Sequence, residues 1–264
     1  MDTFNIEEKF RTLLSQNKIN SAEKLWALSG ENAKKETKAR QIQKIILKSN
    51  NSDEKCFYLK RYFPLPLTEI IKNKICFKPV FRDGAIHEWN AIKKFKELNL
   101  NVPEPVAVAK FANGNSCILT KGIENYVRAS EILSKNYNIN EKRRKNIISQ
   151  IARITGIMHS ANSAHQDLYL LHFFVIPEED DKIYLIDLQR AIISPKQFSV
   201  RWIIKDLSQL FFSAEEIFTE AEKELFRVEY SHYVQPELLE KLLPKVLRKI
   251  NTLRKKAKKK IKNQ

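Results

Sequence analysis

Glycine is scarce. The five glycines in 264 residues (Gly30, Gly84, Gly114, Gly122 and Gly156) argue against an open dinucleotide-binding or P-loop design, whose phosphate loops consume glycines. Cysteine is scarcer still. Cys56, Cys76 and Cys117 are odd in number and widely spaced, with no Cys-x-x-Cys. That argues against a disulfide framework or a zinc cage and reads as reduced packing residues in a cytoplasmic protein. Long apolar runs are missing too. The most apolar stretch, Leu168 to Pro177, contains His172 and is far too short to span a bilayer. The first residues (Met1, Asp2, Glu7, Glu8) show no basic-then-apolar signal sequence. No internal repeat is visible, and low-complexity sequence is confined to the lysine-rich end.

What is present points to a folded chain. Fifteen Phe, eight Tyr and three Trp, within a 43% hydrophobic composition, exclude wholesale disorder. At about 150 residues per domain, the length suggests one large domain or two lobes. Basic residues outnumber acidic ones by 47 to 31, a net charge of +16. The surplus is local: after Glu240 there are eleven Lys/Arg and no acid. The body before it is nearly balanced, so the total charge is no argument for a generic nucleic-acid binder.

The apolar spacing of Phe4, Phe10, Leu13, Leu14, Leu25, Trp26 and Leu28 predicts helix over residues 4–28, with a break at Asn20-Ser21. Residues 30–40 read as a loop or exposed hairpin. Ile42 to Leu47 and Cys56 to Tyr62 read as strands joined by a turn at 49–53. Asp83 is a good N-cap for a helix striped by Ile86, Trp89, Ile92, Phe95 and Leu98, ending at Asn99. A hairpin is expected around Asn113-Gly114. Lys121-Gly122 reads as the crossing between lobes. A long helix begins near Asn140-Glu141, short strands follow at Phe173 to Ile176 and Ile183 to Ile186, and the rest from Arg201 is helical. The expected domains are an N-terminal lobe at 1–121, a C-terminal lobe at 122–240 and a basic amphipathic tail at 241–264.

Three patterns recur in a fixed order: Phe57-Tyr58-Leu59-Lys60, then His87-Glu88-Trp89, then His165-Gln166-Asp167-Leu168 with Ile186-Asp187-Leu188. Phosphoryl transfer needs such a set. A strand Lys neutralises phosphates, a helix Glu holds that Lys, one Asp accepts the proton of the attacking hydroxyl, and a second binds Mg²⁺. Each piece alone is weak. A strand-end Lys is more often solvated, an acid in an amphipathic helix usually lies on its polar face, and His-x-Asp is commonly a turn; Glu88, however, stands beside Trp89 and one turn before Ile92, a place at the boundary of the buried face. The order, and the strand pair between Asp167 and Asp187, make the set specific. His87 and His159 read as ordinary packing or surface histidines.

The run His165-Gln166-Asp167-Leu168-Tyr169-Leu170-Leu171-His172-Phe173-Phe174, with Ile186-Asp187-Leu188-Gln189-Arg190-Ala191, Arg201-Trp202 and Lys205-Asp206-Leu207, resembles the lipopolysaccharide kinases of Kdo kinase/WaaP type, and within that group the core heptose kinases. Leu25 to Glu31, Tyr58 to Tyr62 and His87-Glu88-Trp89 extend the resemblance to residues 25–212. It implies an α+β, protein-kinase-like fold of two lobes, with a small β-rich N-lobe and a mainly helical C-lobe. It also implies ATP with Mg²⁺, and a sugar hydroxyl of the lipopolysaccharide inner core as acceptor, typically on a heptose. Carried over, Asp167 is the catalytic base, Asp187 the main Mg²⁺ ligand with His172 beside it, and Lys60 with Glu88 the phosphate-anchoring pair. Asp206, and with it His165, supports the catalytic loop; Gln189 and Arg190, just past Asp187, are candidate contacts to an anionic acceptor.

Several features depart from kinases at large. No Gly-x-Gly-x-x-Gly precedes Lys60, and residues 34–48 hold no glycine at all. Lys38, Arg40 and Lys44 are either side-chain phosphate contacts or a solvated strand edge. His172 stands where Asn is usual and is a poorer Mg²⁺ ligand than an amide oxygen; the alternatives are a phosphate contact or a hold on Asp167. Gln166 replaces the Arg that receives an activation-loop phosphate in regulated kinases, so no phosphorylation is expected to be needed. In the tail, Leu243, Val246 or Leu247, Ile250, Leu253, Ala257 and Ile261 form an apolar stripe opposite Lys and Arg. Such a helix suits an anionic inner-membrane surface, or its first half packs on the second lobe. The expected location is cytoplasmic, peripheral to the inner membrane, with no nucleic acid partner. The rival readings are a pseudokinase-like binding protein and an RNA- or ribosome-associated kinase.

Overall fold

The computed structural model describes residues 2–33, 39–48, 53–64, 84–177, 180–193 and 197–262. The chain divides into two compact units: Met1–Lys93 with Pro103–Ile123, and Lys94–Val102 with Glu124–Gln264. Strands dominate the first unit and helices the second, the α+β division expected from the sequence.

The first unit carries a six-stranded antiparallel sheet. Its strands are β1 (Thr3–Ile6), β2 (Glu31–Asn32), β3 (Arg40–Lys48), β4 (Glu54–Tyr62), β5 (Pro105–Lys110) and β6 (Ser116–Lys121), in the order β1-β5-β6-β4-β3-β2. The expected hairpin joins β5 to β6, with Gly114 at φ 87°, a region glycine enters without strain. In β4 the two-residue period places Phe57 and Leu59 on the buried face, both fully enclosed. There they meet Leu14 of α1 (Arg11–Gln16) and Leu25 of α2 (Ala22–Trp26). Each such side chain stabilises the unit by about 1.5–3 kcal/mol relative to exposure. Lys60 points to the opposite face.

The helix expected over 4–28 is only partly found. Thr3–Ile6 is a strand, paired with β5 through Phe4↔Ala109 and Ile6↔Ala107. Ladder hydrogen bonds to a distant strand override the local helical spacing. The helical part is two short helices, the second capped by Ser21 Oγ accepting from Lys24 N. Helix α3 (Gly84–Glu97) follows the expected stripe and ends at Asn99, φ 56°. Its expected N-cap, Asp83, lies outside the described residues, as do Cys76 and most of the 49–53 turn. Ser116 Oγ accepts from Ala85 N at the start of this helix.

In the second unit, α4 (Ala129–Ile132) precedes the long α5 (Glu141–Ser160), capped by Asn140 Oδ1 accepting from Arg143 N. Its stripe Ile147, Ile148, Ile151, Ile154 and Met158 is buried. A three-stranded sheet, β7 (Val127–Arg128), β8 (Phe173–Ile176) and β9 (Lys182–Leu185), runs in that order. Asn101 ties onto it, accepting from Leu185 N and donating to Ile183 O. Helices α6 (Val200–Ser213), α7 (Glu220–Ser231) and α8 (Pro236–Lys262) complete the unit, α7 opening on a Thr219/Glu222 capping box. The alternatives for the tail resolve by position. Leu239, Leu242, Val246 and Ile250 of α8 are buried, and the helix packs on α6. Beyond Arg254, Lys255, Lys256, Lys258 and Lys259 are exposed. No helix of the described residues is long and apolar enough to cross a membrane.

Candidate active site

The first unit brings Lys60 and Glu88 together. Lys60 Nζ lies 2.5 Å from Glu88 Oε1, and the Tyr62 hydroxyl donates to Glu88 Oε2 at 2.5 Å. The Glu88 side chain is 2% exposed and that of Lys60 14%. Two neighbours on the same face of β4 therefore grip one buried carboxylate of α3. Glu88 is not on the polar face of its helix. Burying an acid this deeply is tolerable only with a cation and a hydrogen-bond donor at its two oxygens. Of the basic residues weighed for phosphate contact, Lys44 is exposed on β3, Arg40 is half-buried, and Lys38 lies outside the described residues.

The second unit gathers the remaining candidates around the loop 165–172. Asp206 of α6 is fully buried and accepts from the backbone N–H of His165 (2.6 Å) and of Gln166 (2.7 Å). Gln166 sits at φ 67° and Asp187 at φ 64°, left-handed conformations that cost a non-glycine residue about 1–2 kcal/mol each. The hydrogen bonds to Asp206 offset part of that at Gln166. The Gln166 side chain turns inward, donating towards Trp202 O and Asp206 Oδ1. The ring of His165 joins loop to strand end. Its Nδ1 accepts from Asp167 N, so Nε2 carries the proton and donates to Ile186 O at 2.8 Å. One imidazole thereby positions the backbone at both Asp167 and Asp187.

His172 is tied to the same loop. Burial first, and then neighbouring His165, hold its imidazole below the ordinary value of 6.5, so it is neutral near pH 7. Its Nδ1 lies 2.6 Å from the Asp167 backbone oxygen, which can only accept. Nδ1 therefore bears the proton, and Nε2 presents a lone pair to Asp187 Oδ2 at 3.8 Å. Two acceptors facing each other this closely suit a cation between them. Ligand atoms of Asp167, His172 and Asp187 all lie within 4.8 Å of one another. The donor set fits a divalent ion, the carboxylates being the oxygen ligands Mg²⁺ favours.

Around this cluster lie Gln189, half-buried, and the exposed Arg190, whose Nη1 is 3.9 Å from Asp167 Oδ1. Lys205 is partly buried, and that burial lowers its pKa. Sequence reasoning read His159 as an ordinary packing or surface histidine and passed over Gln209 and the aromatic pair Tyr126–Phe174. His159 is fully buried, its Nε2 3.4 Å from Asp206 Oδ2 and its Nδ1 2.8 Å from the Tyr230 hydroxyl. Gln209 is buried against Asp167. Tyr126 stacks on Phe174, two residues after His172, at 3.6 Å and 5°. Among these, only the position of Phe174 within the quoted run was a signal.

Known proteins resemble this chain in sequence and in fold. The model of the lipopolysaccharide kinase (Kdo/WaaP) family matches residues 23–230. Lipopolysaccharide core heptose(I) kinase WaaP of Escherichia coli (strain K12) is 30% identical over 179 residues, covering 62% of this chain and 65% of that protein. The protein of the same name from Pseudomonas aeruginosa is 30% identical over 181 residues, with the same shares. The chain thus spans 65% of the length of these curated relatives. A solved structure, WaaP in complex with acyl carrier protein, superposes with a TM-score of 0.74 at 24% identity. It covers 95% of this chain and 99% of that one. At that identity the likeness establishes the fold, which is the kinase-like α+β architecture.

Proposed function

The chain belongs to the lipopolysaccharide kinase (Kdo/WaaP) family, and from that premise we propose that it transfers phosphate from ATP to a sugar hydroxyl, of a heptose, in the lipopolysaccharide inner core. The observation that carries the reading is the convergence of Asp167, His172 and Asp187 within 4.8 Å.

Asp167 is the general base. Its half-exposed carboxylate sits on a loop fixed by Asp206 and His165, so it can take a proton from an acceptor hydroxyl without rearrangement. Asp187 and the Nε2 of His172 would hold Mg²⁺, which supplies charge neutralisation on the phosphates when bound. Lys60, held by Glu88, supplies the fixed cation for the nucleotide phosphates. Arg190 and Gln189 flank the base, and the guanidinium suits the anionic groups of a core glycan. Gln166, turned onto α6, has no side chain free to receive an activating phosphate, so the enzyme works unphosphorylated. The lysines past Arg254, exposed at Lys255, Lys256, Lys258 and Lys259, hold the enzyme at an anionic membrane surface, where a lipid-anchored acceptor is found.

The test is incubation with labelled ATP and dephosphorylated core lipopolysaccharide. The wild type should label the glycan and Asp167→Ala should not. Equal labelling by the variant would remove Asp167 from the chemistry. No labelling by either, with no nucleotide-induced thermal shift, would favour a pseudokinase.

A further inference from the structure

Helix α6 meets the catalytic loop along one face. Trp202 and Asp206 take Gln166 and His165 as described, and Ser213 Oγ accepts from Leu170 N at 3.0 Å. Between them, at the same helical spacing, stands Gln209. It is 7% exposed, and its Nε2 lies 3.4 Å from Asp167 Oδ1 and 3.3 Å from the Tyr169 hydroxyl. Its Oε1 is buried with no hydrogen-bond partner.

That orphaned oxygen is informative. Leaving a buried carbonyl unpartnered is unfavourable, and rotating the amide by half a turn would exchange its ends. The exchange would set Oε1 against a carboxylate oxygen, acceptor to acceptor. The observed orientation is the one in which the amide N–H groups meet both Asp167 Oδ1 and the Tyr169 oxygen, and the burial of Gln209 keeps water from competing for the contact.

We infer that Gln209 is a positioning residue for phosphoryl transfer. Its side-chain N–H holds Oδ1 of Asp167, with Arg190 beside the same oxygen, and so turns Oδ2 to the acceptor hydroxyl. The inference deepens the proposed function and rests on Asp167 being the base. Gln209 touches neither substrate; it sets the rotamer of the group that does. A carboxylate left to rotate spends less time in line with the hydroxyl, which lowers the rate of transfer and leaves substrate binding alone.

Gln209→Met separates this from a packing role, since it keeps the volume, deletes the N–H and also deletes the orphaned carbonyl. The expected result is a kcat lower by about tenfold or more, with KM for ATP and glycan within about twofold and a melting temperature equal to or above the wild type. A kcat within twofold of wild type, or a loss that tracks a fall in melting temperature, overturns the inference. A second readout does not depend on turnover. In protein labelled with ¹⁵N-glutamine, the Gln209 NH₂ signals, assigned by their loss in Gln209→Met, should exchange slowly with water and move in Asp167→Ala. Fast exchange and no movement overturn it. If the wild type transfers no phosphate at all, the proposed activity falls, and the NH₂ signals alone decide whether Gln209 holds Asp167.

Discussion

Glu88 is a charge placed where a charge is expensive. Removing water from its carboxylate costs several kcal/mol, and the contacts that offset this come from Lys60 and Tyr62, 28 and 26 residues away in sequence. Glu88→Ala removes the carboxylate paired with the Lys60 ammonium, itself only 14% exposed. Breaking a buried pair costs about 3–5 kcal/mol, and partial exposure of Lys60 puts this case at about 3 kcal/mol. Urea unfolding should show that loss, and KM for ATP should rise by about tenfold or more because the lysine is no longer held. A variant of unchanged KM would mean that Lys60 does not serve the nucleotide. The residue pattern named Lys60 and Glu88, and the neighbours Trp89 and Ile92 put Glu88 at the edge of the buried face. Its full burial was not legible, because helical periodicity counts apolar side chains and says nothing of the strand partners that make a buried carboxylate tolerable.

At the scale of elements, α5, α6 and α7 meet through one buried chain, Tyr230 to His159 to Asp206. Asp206 only accepts, so His159 Nε2 donates to it and Nδ1 accepts from the Tyr230 hydroxyl. Tyr230 must therefore keep its proton. Burial, and next the charge of Asp206, raise its pKa above the ordinary 10.0, and burial pushes the Cys117 thiol up to about 12 from 9.0. In the unfolded chain both groups lose their protons at the ordinary values. Above pH 9, then, the folded state binds more protons than the unfolded one, and stability falls as pH rises. Melting temperatures from pH 8 to 11 should decline, most steeply past 10. Tyr230→Phe should start lower, by about 1–3 kcal/mol for the His159 nitrogen left without a donor, and decline less steeply. Equal slopes would place the alkaline sensitivity elsewhere. The elements themselves were unevenly legible. The β5–β6 hairpin, the Asn140-capped helix and the β3–β4 pair follow from local signals. Thr3–Ile6 does not, because its partner lies a hundred residues on, nor does the α6 face, which is defined by a loop some 40 residues earlier.

For the molecule as a whole, the net charge of +16 divides along α8. Up to Arg254 the helix belongs to the fold: Leu239, Leu242, Val246 and Ile250 are buried, and the Arg254 guanidinium pairs with Glu215, Nε to Oε2 at 2.9 Å. Past that point six lysines follow in eight residues, with no acid among them. Their mutual repulsion is relieved by an anionic surface or by salt. Truncation after Arg254 separates the two halves of the helix, because it keeps the buried Leu239, Leu242, Val246 and Ile250 and the Glu215 pair. Its melting temperature should match the full chain within a degree or two, and its turnover on detergent-dispersed acceptor should be unchanged. Sedimentation with vesicles containing phosphatidylglycerol should be lost, since each lysine near an anionic headgroup contributes about 1 kcal/mol. The full chain should leave those vesicles as salt rises towards about 0.5 M, where the screening length shrinks to a few ångströms. Should both forms sediment alike, the membrane contact lies on the folded units; should the full chain bind RNA as tightly as vesicles, the lysines are read by charge alone and the apolar stripe of Leu253 and Ala257 has no part in it.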